Sequence, residues 1–213
     1  LYDIAYNALL RRELFEYKTV VFGNAHTEIA EQLYTFADTE TTQTSTPLAM
    51  ATGPVFVYSG NGAQWFGMGK QLLTDPLFLQ AVQEVDSLFR QHADWSLEKE
   101  LSGFYGIDQY ADTEIAQPAL FAIQVGITRM LQARGVSPLA VVGHSVGEVA
   151  AAWACGALSL EDAVQVIYHR SQLQGTTKGK GQMTAVGLGQ SETTQLLTEL
   201  GLHENLTVAG SNS

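Results

Sequence analysis

One pentapeptide narrows the fold of this chain more than any other stretch. Gly143-His144-Ser145-Val146-Gly147 lies between an apolar run, Leu139-Ala140-Val141-Val142, and an alanine-rich segment over 148–154 that Gly156 closes. A buried strand that breaks sharply into a helix needs glycines where the turn leaves no room for a Cβ, and a serine at its apex carries its Oγ into the open. The helix behind such a serine aims N–H groups and the positive end of its dipole at developing negative charge. Ser145 is therefore the candidate nucleophile. The same order recurs earlier, where Val55-Phe56-Val57-Tyr58, apolar on both faces, runs into Ser59-Gly60-Asn61-Gly62. Strand, turn and helix in repetition predict the α/β class: a parallel sheet covered by helices on each side.

The flanking segments fit that plan. Asp75-Pro76 predicts a capped helix whose buried face is Phe78, Ala81, Val82, Val85, Leu88 and Phe89. Gln117-Pro118 reads as the start of a second long helix, with Phe121, Gln124, Val125, Thr128 and Leu131 at helical spacing and Gly135 at its end. Ser159-x-x-Asp162 has the form of a capping box for a helix through Gln174. After a Gly/Lys-rich turn over 175–181 the pattern changes to a strand over 184–186, a helix over 193–200 and a strand over 206–208. That order predicts the beginning of a smaller α+β subdomain. At the other end, residues 1–37 alternate helix (Leu1, Ile4, Ala5, Ala8, Leu9), strand (19–23) and helix (Ile29, Leu33, Phe36). The polar run over 38–47, ended by a proline, has the composition of a linker and sets a boundary near residue 50.

Charge and cysteine content exclude whole classes. Eleven Lys+Arg against 22 Asp+Glu give a net charge of -11, which repels phosphate backbones and anionic lipid heads, so neither nucleic acid nor a membrane surface is an expected partner. No apolar run approaches the ~18 residues needed to span a bilayer. The single Cys155 permits no intrachain disulfide and no cysteine-rich zinc site, which suits a reducing, cytoplasmic compartment. A start at Leu1, without Met or leader, reads as a piece cut from a longer polypeptide.

Two further features bear on chemistry. The glycines of Gly60-Asn61-Gly62 suit a loop whose backbone N–H groups point into a site, where one could join the Val146 N–H in an oxyanion hole. Arg170 lies among Ile167, Tyr168 and Leu173, and a guanidinium on such a stripe calls for a partner such as a ligand carboxylate. A general base is harder to find among the five histidines: His144 starts in another direction from Ser145, His26 and His92 lie elsewhere, and His169 flanks Arg170. His203, at a loop-like position, is the one remaining candidate.

Taken together, the chain resembles the acyltransferase domain of modular type I polyketide synthases and the related malonyl-CoA:acyl-carrier-protein transacylases. Residues 57–69, with Gly60-Asn61-Gly62-Ala63-Gln64 at their centre, resemble the family's opening Gly-Gln-Gly-Ser/Ala-Gln motif. Gln117-Pro118-Ala119-Leu120-Phe121 resembles its second block, residues 143–148 its Gly-His-Ser-x-Gly-Glu block, and Arg170-Ser171-Gln172 its arginine block. The resemblance implies a ketosynthase-to-acyltransferase linker subdomain over 1–50, a hydrolase-like parallel sheet core over 51–182, and the start of a ferredoxin-like subdomain over 183–213. It further implies Ser145 as nucleophile, the backbone N–H groups of Asn61 and Val146 as oxyanion hole, Gln117 lining the site, and Arg170 binding the free carboxylate of a malonyl-type unit. Asn61 stands where the family usually has Gln, a mild departure because the group used is backbone. No metal and no resident cofactor is implied. Acyl-CoA and the phosphopantetheine arm of an acyl carrier protein are the substrates, and a ketosynthase domain of the same polypeptide is a partner. The family's catalytic histidine corresponds to a position beyond Ser213, so a fragment lacking it is expected. Val146 and the block over 117–121 resemble members that load malonyl rather than methylmalonyl. Two other readings remain: a thioesterase or esterase of related architecture, which Arg170 disfavours, and a non-catalytic linker or docking module.

Overall fold

A computed structural model describes residues 2–10, 20–38 and 53–211. Its elements in chain order are α1 (Tyr2–Leu10), α2 (His26–Asp38), β1 (Val55–Tyr58), a 3-10 turn (Leu72–Thr74), α3 (Pro76–Phe89), α4 (Leu97–Ser102), α5 (Thr113–Ala133), β2 (Ala140–Gly143), α6 (Gly147–Ala154), α7 (Leu160–Gly175) and α8 (Gln190–Glu199). β1 and β2 pair in parallel, Val55 beside Ala140 through Tyr58 beside Gly143. This mixed α/β arrangement has the predicted strand-to-helix turn after β2, where α6 starts at Gly147; after β1 a loop and the 3-10 turn intervene before α3.

The core forms around α5. Phe121, Ala122, Val125 and Ala119 on this helix are fully buried, packed with Phe78, Val82, Val85 and Phe89 of α3, Ala150 of α6, and Ala163, Val164 and Ile167 of α7. Close approach is made possible at Gly126, where a Cβ would meet the Phe78 ring at 2.5 Å. Local signals set the ends of these helices. The Asp75 carboxylate caps α3 by accepting from the N–H of Leu77 at 2.9 Å, and Pro76 occupies the first turn, where a missing N–H is harmless. Arg134, just past α5, pairs with Asp75 at 2.6 Å and holds its carboxyl below the usual range. Some polar groups inside the core pair with one another: Tyr58 shares a 2.9 Å hydrogen bond with Thr128 of α5, and Asp86 accepts from the N–H of Leu97 at 2.6 Å and from the Ser96 hydroxyl at 3.0 Å, whereas the Tyr110 hydroxyl and Gln124 Oε1 are buried without a partner among the described residues.

Several expectations are corrected. The second long helix starts at Thr113 after Asp112, not at Gln117, so Pro118 lies inside α5 and supplies no N–H to the carbonyl one turn back. Residues 20–23 are not a strand; the backbone of Phe22 is taken by the Gln32 amide, which accepts its N–H at 3.3 Å and donates to its carbonyl at 2.5 Å. Residues 184–186 and 206–208 form no strand either: among the described residues no segment pairs with them, and the Leu206 N–H turns back to the Leu202 carbonyl at 2.9 Å. Among the described residues, helices cover the sheet on one face. Phe56, Tyr58 and Val141 turn into the helices, whereas Val57, 73% exposed, and Val142, 53% exposed, face solvent. Thr19, the polar run from 39 to 47 and the boundary near residue 50 lie outside the described residues. No helix among the described residues is long and apolar enough to cross a membrane.

Candidate active site

β2 ends where the chain must reverse direction, and the reversal places Ser145 at φ +54°, alone among the described non-glycine residues in having positive φ. An L-residue held there stores about 1–2 kcal/mol, which the surrounding structure has to offset. The offset is visible in the hydrogen bonds: His144 donates its N–H to the Tyr58 carbonyl at 3.0 Å, Gly147 to the His144 carbonyl at 2.9 Å, and Glu148 to the Ser145 carbonyl at 3.1 Å. Val146 is buried under the turn, and Ser145 itself is exposed.

Glycine is required where the loop after β1 touches the strand-to-helix turn after β2. A Cβ on Gly147 would run into the carbonyl oxygens of Tyr58 and Ser59, and one on Gly60 would meet the His144 carbonyl at 2.8 Å and the Ser145 Cβ at 3.0 Å. The loop after β1 therefore lies directly against the serine. Gln124 of α5 steadies this loop from below, its Nε2 donating to the Ser59 carbonyl at 2.8 Å, and Gln64 accepts from the Gly62 N–H at 2.7 Å. Among the described residues, the backbone N–H groups of Asn61 and Val146 make no backbone hydrogen bond.

Arg170 reaches this turn from α7. Its Nη2 donates to Ser145 Oγ at 3.3 Å, and its Nη1 donates to Gln117 Oε1 and, at 3.1 Å, to Gln174 Oε1. The structure thus brings Ser145, Arg170 and Gln117 together. Gln117 is fully buried, so it meets the site through Arg170 rather than along an open wall. Its Nε2 donates to Gln174 Oε1 at 2.7 Å. Gln174 is the residue that sequence reasoning missed; its spacing of four from Arg170 on one helix face was the available signal. Beyond it, α7 closes on the start of α5: a Cβ on Gly175 would strike the Glu114 carboxylate, and Lys178 pairs with Asp112, which raises the lysine above its ordinary value.

Among the described residues, no imidazole hydrogen-bonds to Ser145 Oγ. His92 stacks on Tyr168 with ring centres 5.4 Å apart, and His169 packs edge-on against the same tyrosine, its ring centre 6.1 Å from that of His92. His203, the remaining candidate base, stands in solvent with its Nε2 3.5 Å from Glu204. Among the described residues no cluster of three or more His, Cys, Asp or Glu side chains could hold a metal ion. What the geometry offers is an exposed hydroxyl on a strained turn, a glycine loop packed against it, and a cation in contact with it.

Comparison with known proteins agrees with this arrangement. The family described as "Acyl transferase domain" matches residues 55–213. The polyketide synthase GfsB of Streptomyces halstedii is 35% identical over 92% of this chain, which spans 4% of that protein. Among solved structures, the acyltransferase domain from module 8 of the salinomycin polyketide synthase superposes with a TM-score of 0.68 at 37% identity, over 75% of this chain and 38% of that one. The malonyl-CoA:ACP transacylase of Synechocystis superposes with a TM-score of 0.52 at 28% identity, over 59% and 41%. The chain therefore spans a small fraction of the curated relatives and less than half of the solved domains.

Proposed function

The chain belongs to the acyl transferase domain family, among the acyltransferase domains of modular polyketide synthases, and from that premise we propose that it carries the nucleophile and the carboxylate clamp of a malonyl-type acyl transfer. In this reading Ser145 Oγ attacks the thioester carbonyl of an acyl-CoA, the CoA thiolate leaves, and an acyl-serine remains. The phosphopantetheine thiol of an acyl carrier protein then attacks the ester, takes the acyl group and returns the serine. The N–H groups of Asn61 and Val146 receive the oxyanion in both tetrahedral steps.

The observation that carries this reading is the contact of Arg170 Nη2 with Ser145 Oγ at 3.3 Å. A guanidinium so close to the nucleophile stabilises an acyl group bearing its own carboxylate and offers nothing to a plain hydrocarbon chain. A charge-assisted hydrogen bond of this kind contributes about 1.5–3 kcal/mol, or roughly ten- to a hundredfold in selection of malonyl over acetyl. The same contact weighs against a thioesterase acting on neutral acyl chains. Val146 and the block over 117–121 favour malonyl over methylmalonyl as the unit.

The serine proton needs an acceptor, and among the described residues the side-chain partner of Ser145 Oγ is Arg170, not an imidazole. We assign that role to an imidazole outside residues 1–213, in the part of the domain that the solved relatives have and this chain does not span. The 1–50 linker, the hydrolase-like core over 51–182 and the ferredoxin-like segment from 183 belong to the same proposal, as do the carrier protein and ketosynthase as partners and a cytoplasmic setting. Incubating the complete acyltransferase with malonyl-CoA and reading its intact mass tests the assignment. A malonyl adduct that Ser145→Ala abolishes is expected; an adduct that survives the substitution rules Ser145 out.

A further inference from the structure

Gln117 has every polar atom of its amide committed inside the protein, and the way it is committed gives Gln174 a task. The Gln117 side chain is fully buried between α5 and α7, so an amide left unpaired there is costly. Its Oε1 accepts from Arg170 Nη1, and its Nε2 donates to Gln174 Oε1 at 2.7 Å. Guanidinium nitrogens are donors only, so Arg170 can be held by Gln117 in just one of the two amide orientations, with the oxygen forward. Flipped, the Gln117 NH₂ would face the guanidinium donor to donor.

What selects the forward orientation is an acceptor behind Gln117, and Gln174 Oε1 is that acceptor. The same oxygen takes a second hydrogen bond from Arg170 Nη1 at 3.1 Å. Nη1 is thereby anchored twice, and Nη2 is the nitrogen left to face Ser145. The last turn of α7 can bring Gln174 to this point because Gly175, without a Cβ, lets it close on Glu114 of α5. We infer that Gln174 is a positioning residue for the carboxylate clamp: it orients the Gln117 amide, and through it fixes Arg170 with Nη2 presented to the acyl site. This deepens the reading of Ser145 and Arg170 given above and rests on it.

The inference makes a specific demand on kinetics, because Gln174 acts only on substrates that use Arg170. In the complete acyltransferase, Gln174→Met keeps the length of the side chain and removes its acceptor. KM for malonyl-CoA should rise about tenfold with kcat changed by less than about threefold, and loading from acetyl-CoA should be unaltered. Since Gln174 holds Arg170 partly through Gln117 and partly by its own contact, Gln117→Met combined with Gln174→Met should impair malonyl loading by less than the sum of the two single effects. Gln174→Glu supplies a further arm: it retains both acceptor contacts but places an anion where the substrate carboxylate competes for Arg170, so malonyl loading should fall while acetyl loading holds. An unchanged malonyl-to-acetyl ratio in Gln174→Met, or additive effects in the double variant, overturns the inference. Arg170→Ala separates the two levels: if it collapses the ratio and Gln174→Met does not, the role of Gln174 alone fails; if it too leaves the ratio unchanged, the clamp fails and the role of Gln174 with it.

Discussion

Two stretches of this chain obey the same local rules with opposite outcomes. From β1 to α7, apolar periodicity is satisfied: the apolar faces of α3, α5 and α7 meet one another and one side of the sheet, and Phe78, Phe89, Phe121 and Ile167 are sealed. From 182 to 211 the helix α8 forms where its pattern predicts, yet it buries no residue, and Leu188, Leu196, Leu200 and Leu206 remain open. The difference shows that a period specifies which face is apolar and says nothing of what covers it. Ser145, Asn61, Val146, Gln117 and Arg170 all lie in the packed stretch, and His203 in the open one. A nucleophile on a strained turn and a guanidinium held by a buried amide both need surroundings that do not yield.

Paired substitutions sharpen the contrast. Phe121→Ala should lower unfolding free energy by about 3–5 kcal/mol in urea titration, whereas Leu196→Ala in the open stretch should stay within about 0.5 kcal/mol. A large loss at Leu196 would show that α8 is packed in solution and would break the comparison. Glycines give a second pair. Gly147→Ala forces a methyl into the Tyr58 and Ser59 carbonyls and should cost about 1–3 kcal/mol, together with loss of acyl-serine formation. Gly187, with nothing within 4 Å of the place a methyl would take, should accept Ala with no loss or a gain of about 0.4–1 kcal/mol in thermal melts.

Acid and base should probe the packed stretch more gently. Burial raises the Glu100 carboxyl above its ordinary value, with Asp108 adding to the shift and a Gln109 hydrogen bond opposing it. Its folded form therefore favours the proton, so stability is fullest below the unfolded value near 4.5 and declines as pH rises through the folded one. Glu100→Gln should accordingly raise Tm at neutral pH, and the gain should shrink towards pH 4. Asp75 has the opposite sign. Its Arg134 partner and the Leu77 and Phe78 N–H groups lower its value below 3.8, so its contribution is present above that pH and fades as pH falls through the folded value. Asp75→Asn should lower Tm at pH 7 and converge with the wild type in strong acid. Parallel melting curves across pH for either variant would contradict these assignments.

Much of the packed stretch was legible because short signals there have single solutions. Asp75-Pro76 admits a capped helix start, and Gly143 through Gly147 admits little besides a sharp turn after a strand. Pro118 misled: proline is commonest in a first turn, yet α5 begins five residues earlier, where Asp112 and Thr113 carry a weaker signal. The residues over 184–186 and 206–208 have the composition of strands but no partner to pair with, and pairing is not a local property. In the site, Ser145 and Arg170 stood out by motif and by an unusual setting. Gln174 did not, since an exposed glutamine on a polar helix end is unremarkable until its oxygen is seen between Gln117 and Arg170. The open face of Val57 and Val142 was invisible for the reason that governs α8: composition marks a face as apolar without naming its cover.

The central claim is that Arg170 selects an acyl unit by its carboxylate and hands its thioester to Ser145. It is tested most directly by offering equal malonyl-CoA and acetyl-CoA to the complete acyltransferase and weighing the two acyl-enzyme forms, with and without Arg170→Ala. The account predicts mostly malonyl-enzyme in the wild type and a shift of roughly tenfold or more towards acetyl-enzyme in the variant. An Arg170→Ala enzyme that still carries malonyl in the wild-type proportion would contradict it.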